Sequence, residues 1–193
     1  MGVFLNNILA EKKVTDLEIL IDFLDDLEHD VHQEIESLSY DDLLWQPAPK
    51  SNNISITVWH FSRWLDLLTV RALQNRSAEE EQWHVCGWVH KTGYDPRGIG
   101  AHGFGAITGY TWEEVQKVPT LSAQELLEYF TQTKSALRQH LQEMPAEQLL
   151  RPAPGLGRKR TVYQWIQPIL KGCFCHIGEI QAIKAMKMQA SSF

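Results

Sequence analysis

The sequence predicts an all-α protein, a four-helix bundle with a long crossover between helices 2 and 3. Three observations lead there. Four long segments carry apolar residues at helical spacing, three of them open on a Ser/Thr-x-x-Glu/Gln box, and no convincing run alternates in the manner of a strand. Four amphipathic stripes are all buried only when the helices pack against one another. At 193 residues the chain suits one domain, residues 1–193, large enough for a core that needs no disulfide or structural metal.

The first helix is expected between Thr15 and Leu38. Leu17, Leu20, Ile21, Leu24, Leu27, Val31, Ile35 and Leu38 step by threes and fours, and Thr15 with Glu18 forms a capping box. Residues 39–53 hold Pro47, Pro49, Ser51, Asn52 and Asn53, turn chemistry that reads as a connection with Trp45 turned inward. A second helix follows from about Ser55 to Asn75, rich in Trp, Leu and Val. The stretch from Arg76 to Pro119 mixes seven glycines with aromatic residues and is the least regular part. Short helices are expected there over 79–90 and 112–117, because long loops in compact domains are functional or carry structure of their own.

Order resumes at Leu121, where Ser122 and Glu125 make a second box and Leu121 with Leu126 is spaced as a hydrophobic staple. The third helix should run to Glu143, before Pro145. Thr161 and Gln164 make the third box, and the last helix should reach about Met188. Pro168 inside it predicts a kink or a shifted start. Short connections between helices one and two and between three and four suggest two hairpins joined by the crossover.

Composition narrows the function. Acidic residues outnumber basic ones 24 to 18, and the densest basic cluster is Arg158-Lys159-Arg160, so nucleic acid is not an expected partner. No stretch approaches ~18 uninterrupted apolar residues, so no membrane segment is expected, and no secretory leader is legible. Cys86, Cys173 and Cys175 form no framework, which fits a reducing, cytoplasmic setting. The Asn53 and Asn75 sequons then read as chance matches.

The chemistry-bearing residues are two histidines, His60 and His176, each interrupting the apolar stripe of a helix. An imidazole aimed into a core is costly unless a metal, a carboxylate or a carbonyl engages it. On facing helices they can share a divalent cation; alternatively each is a satisfied core histidine. A catalytic zinc ordinarily takes three protein ligands. One turn before His176, where a further ligand would point the same way, stands Gly172, so Cys173 and Glu179 are the candidate substitutes, with Asp66 on the second helix. Arg63 and Asp66 are spaced to orient His60 or to form an intrahelical pair. His29, His32 and His140 read as surface residues, while His84, His90 and His102 lie in the crossover.

Two glycine-rich runs need weighing. Gly98-Ile99-Gly100-Ala101-His102-Gly103 spells a dinucleotide fingerprint but follows no strand, so it reads as a tight loop. Gly155 to Arg160 precedes a helix start, where backbone donors and basic side chains can hold an anion such as a carboxylate or the charged end of a thiol cofactor; the commoner outcome is a solvated turn.

The order of signals resembles the DinB/YfiT-like superfamily. Leu43-Leu44-Trp45-Gln46-Pro47-Ala48-Pro49, Asn53-Ile54-Ser55-Ile56, Trp59-His60-Phe61-Ser62-Arg63-Trp64-Leu65-Asp66 and His176-Ile177-Gly178-Glu179-Ile180 carry the resemblance over nearly the whole chain. Residues 81–93, 108–111 and 113–115 resemble an uncharacterised subgroup. The resemblance implies a DinB-like four-helix bundle, often a homodimer, with a three-histidine metal site at one end. It also implies a thiol-dependent S-transferase or a hydrolase acting on a small-molecule substrate, with a divalent metal such as zinc or nickel and a low-molecular-weight thiol as cofactors. His60 and His176 match two of the metal ligands. Gly172 occupies the place of the third, so the alternative is a metal-free relative that binds a small molecule.

Overall fold

The computed structural model describes residues 15–157 and 159–192. Eight α-helices occur among them: α1 (Asp16–Ile35), α2 (Tyr40–Leu44), α3 (Ile54–Leu67), α4 (Gln82–Val85), α5 (Trp88–Thr92), α6 (Trp112–Val115), α7 (Ala123–Glu143) and α8 (Val162–Ala190). No strand is formed among the described residues, apart from one isolated bridge between Pro152 and Thr161. The four long helices are those the sequence predicts. All three expected capping boxes are present, with Thr15, Ser122 and Thr161 each accepting a backbone N–H three residues on.

Several boundaries differ for local reasons. The connection after α1 is not all turn, because Ser39 and Asp42 form a further capping box that starts α2. α3 begins before Ser55: the side chain of Asn53 accepts from the Ile56 N–H and caps it. Its last turns, Leu68–Leu73, widen into a π-helix. The short helix expected over 79–90 is split, since Gly87 adopts a left-handed conformation (φ 81°) between α4 and α5. α8 starts at its predicted cap without a shift and continues through Pro168.

The bundle topology corrects the expected pair of hairpins. α1 packs on α7 and α8, and α3 also packs on α7 and α8, so the order around the bundle is α1, α7, α3, α8. The first long helix therefore lies diagonal to the second (α1 and α3) and the third to the fourth (α7 and α8), while α3 and α7 pack side by side. The connection 36–53 with its helix α2, which packs on α3, carries the chain across the end of the bundle. Leu24, Leu27, Val31 and Ile35 of α1 meet Phe61 and Leu65 of α3, Phe130, Leu137 and Leu141 of α7, and Ile166, Ile177 and Ile180 of α8 in one core. Fully burying one such side chain contributes about 1.5–3 kcal/mol, so this core is the dominant stabilising term. Charged pairs fasten its edges: Lys134 of α7 reaches Asp25 (2.7 Å) and Glu28 (2.8 Å) of α1, and Lys184 of α8 reaches Glu34. Among the described residues, no helix is long and apolar enough to cross a membrane.

Candidate functional site

His60 of α3 and His176 of α8 come together, with ring centroids 5.0 Å apart and planes nearly perpendicular. The side-by-side packing of α3 and α8 brings about this meeting across 116 positions of sequence. Each ring is held by its Nδ1. His60 Nδ1 lies 2.6 Å from the carbonyl oxygen of Ala106; a carbonyl only accepts, so this nitrogen carries the proton. His176 Nδ1 donates to Glu179 Oε2 at 2.8 Å, one turn along the same helix. Both tautomers thereby leave Nε2 with a free lone pair, the arrangement in which a second partner orients a metal-ligating imidazole.

Electrostatics keep His60 and Glu179 in that state. Burial, together with the neighbouring His176, pushes His60 down from 6.5 to about 4, so its ring is neutral at physiological pH. The hydrogen bond from His176 holds the Glu179 carboxyl below its usual range, so it remains an acceptor. Glu179 is thus engaged as the partner of His176 Nδ1. Cys173 is buried at the wall of the same groove, and desolvation raises its thiol to about 12. No group of three or more His, Cys, Asp or Glu side chains is arranged to hold a metal ion among the described residues.

The pair lines a groove of about 260 Å³ whose α8 side is built from Trp165, Ile169, Gly172 and His176, one face of the helix. Phe61 and Trp64 of α3 form the opposite wall, and Arg160 also lines it. A Cβ placed on Gly172 would meet nothing within 4 Å, so the missing side chain is open space at the third-ligand position. A larger apolar groove of about 540 Å³, with Ile19, Phe23 and Tyr163 among its lining residues, holds no comparable cluster of titratable groups.

Arg63 and Asp66 do more than pair along α3. The Arg63 guanidinium, 1% exposed, donates to Asp66 Oδ2 (3.1 Å), the Tyr129 hydroxyl (3.2 Å), Glu81 Oε2 (2.6 Å) and the Gly105 carbonyl (3.1 Å). Asp66 in turn accepts the backbone N–H groups of Gln82 and Trp83 at the start of α4. Burial raises the Asp66 and Glu81 carboxyls against the pull of Arg63. This buried cluster anchors both ends of the crossover's first half, and Gly105 adjoins the carbonyl that holds His60. Gly105 is required there, because at φ +65° a Cβ would sit 2.3 Å from the Pro96 carbonyl oxygen. Sequence reasoning missed Glu81, Tyr129 and Ala106; an arginine inside an apolar stripe was the only signal that such partners must exist. His84 packs near this cluster, 3.9 Å from Asp95, while His90 and His102 are exposed, and none of the three lines the groove beside the imidazole pair. His29 is exposed as expected; His140 is half-buried, with its pKa lowered by desolvation.

An all-α bundle with a groove built on a pair of oriented imidazoles defines the class of this protein. The sequence profile of the DinB superfamily matches residues 24–180, and the chain belongs to that superfamily. In structure it is similar to a conserved protein from Enterococcus faecalis, with a TM-score of 0.72 over 90% of this chain and 98% of that one. Their sequences are 18% identical, so the likeness speaks to fold alone. No curated protein matches the chain significantly.

Proposed function

We propose that the groove binds a small-molecule substrate at a divalent cation held by His60 and His176, in a thiol-dependent transferase or hydrolase. The observation that carries this reading is the tethering of both Nδ1 atoms, to Ala106 and to Glu179, which turns the Nε2 edges of two adjacent rings toward a ligand. These residues fit a cation such as zinc or nickel as two of its ligands, and the space at Gly172 leaves room for a donor that the chain does not supply. A cation there supplies Lewis acidity, lowering the pKa of a bound water or thiol toward neutrality. The chain's own contribution is positional. Ala106 and Glu179 hold the ring tautomers, and Phe61 and Trp64 exclude water from one wall.

The lack of a third donor among the described residues favours a second reading, a metal-free module in which the two Nε2 atoms accept hydrogen bonds from a ligand directly. Equilibrium dialysis against zinc and nickel separates the two. The enzyme reading expects about one ion per chain, lost in His60→Ala and in His176→Ala; an empty wild type at micromolar metal selects the binding module.

A further inference from the structure

We infer that the groove takes a small organic acid lying along α8, with its carboxylate on Arg160 and its uncharged end at the histidine pair; this rests on the reading of the groove as the binding site. The lining residues of α8 run from Trp165 to His176, eleven positions that extend about 16 Å along the axis at the helical rise. The groove therefore has two chemically different ends. At one end are the two imidazoles, acceptors through Nε2. At the other, the guanidinium of Arg160 lies over the ring of Trp165 with its centre 5.0 Å from the ring centroid.

Arg160 is exposed and has no carboxylate partner among the described residues, in a chain where Arg63, Arg97 and Arg138 all do. A guanidinium resting on an aromatic face is ordered by that contact yet keeps N–H edges free, and its fork matches a carboxylate. The Trp165 indole adds a second donor. Its Nε1–H is buried and makes no hydrogen bond among the described residues, a costly state that an anionic oxygen relieves once the covering side chains shift to admit it. Between the ends, Phe61, Trp64 and Ile169 offer apolar walls that suit a flat, uncharged body. The protein's net charge of −6 gives no general attraction for anions, so recognition has to be local to these two donors. The volume of about 260 Å³ falls below the range of about 300–1,000 Å³ typical of drug-sized ligands, which limits the ligand to a small acid.

The test is a calorimetric and NMR titration of the intact protein with 4-hydroxycinnamate and with its methyl ester, which keeps the body and removes the charge. The expected result is tighter binding of the acid by at least about tenfold, the size of one charge-assisted contact, with a downfield shift of the Trp165 Nε1–H signal, identified by its loss in Trp165→Phe. Arg160→Gln should abolish the preference of acid over ester. Equal binding of acid and ester with perturbation of the His60 and His176 ring protons overturns the carboxylate assignment but keeps the groove as a ligand site. An acid preference that survives Arg160→Gln also overturns the assignment. If neither compound perturbs the rings or the indole, the inference and the binding-site reading fall together.

Discussion

Two polar constructions stand one turn apart on α3 and treat their buried groups in opposite ways. Around Arg63, nearly every donor finds an acceptor: Asp66, Glu81, Tyr129 and the Gly105 carbonyl enclose a guanidinium that is 1% exposed. Around His60, one nitrogen is tethered and the other has no partner among the described residues, next to a second imidazole in the same state and beside an opening where Gly172 has no side chain. A guanidinium enclosed in this way rigidifies the cluster, in which only Glu81 Oε1 lacks a hydrogen bond among the described residues, with Arg71 3.9 Å away. An oriented but incomplete cluster is stabilised by whatever supplies the missing partner. The difference marks Arg63 as the anchor of the crossover and His60 with His176 as the candidate site.

The largest break of this contrast should come from the anchor. Glu81→Ala leaves the Arg63 charge buried without its shortest ion pair, and removing one partner of such a pair costs about 3–5 kcal/mol. Urea denaturation should show a loss of that order; a change below about 1 kcal/mol would mean the cluster is solvated in solution.

The site end responds to pH. His60 takes up its proton near 6.5 when unfolded but only near 4 when folded, so the stability from its neutral form is complete above pH 6.5 and is lost as the pH falls from there toward 4. By proton linkage the difference is on the order of 3 kcal/mol. His84 and His140 shift in the same direction, so the effect of His60 is read as wild type minus His60→Gln across that window. Parallel pH profiles for the two proteins would refute the assignment.

Gly105→Ala joins the two constructions. It should cost at least about 1–2 kcal/mol for the left-handed backbone alone, with further loss from the collision with Pro96, and should free His60 Nδ1 from Ala106. Ring ¹⁵N shifts of His60 moving toward a mixed tautomer would confirm the link. The smallest stability effect belongs to Gly172→His, where open space and the helical backbone predict a change within about 1 kcal/mol. Its readout is metal affinity: under the cation reading, zinc binding should tighten at least about tenfold, and an unchanged value would show that the third position does not converge on the pair.

The helices and their caps were legible from residues 15, 122 and 161 onward, because a capping box and a helical stripe are local and depend on neighbours three or four positions away. His60 and His176 were legible as a pair worth watching for the same reason: each breaks a stripe. Glu81, Tyr129 and Ala106 carry no such mark in the chain. Their roles exist only once α4 and the crossover lie against α3, and the diagonal order of the bundle was equally invisible, since a 3.6-residue period states which face is buried without naming the helix that buries it.

By itself, then, the sequence determined the all-α class, the helix starts, the two imidazoles and the absence of a side chain at residue 172. Tertiary packing alone decided that those imidazoles meet at 5.0 Å, that their Nδ1 atoms are bound, and that Arg160 and Trp165 close the far end of the same groove. Local propensity acts over a single turn of helix, whereas a site is a convergence of side chains from distant turns, fixed by how the core chooses to pack.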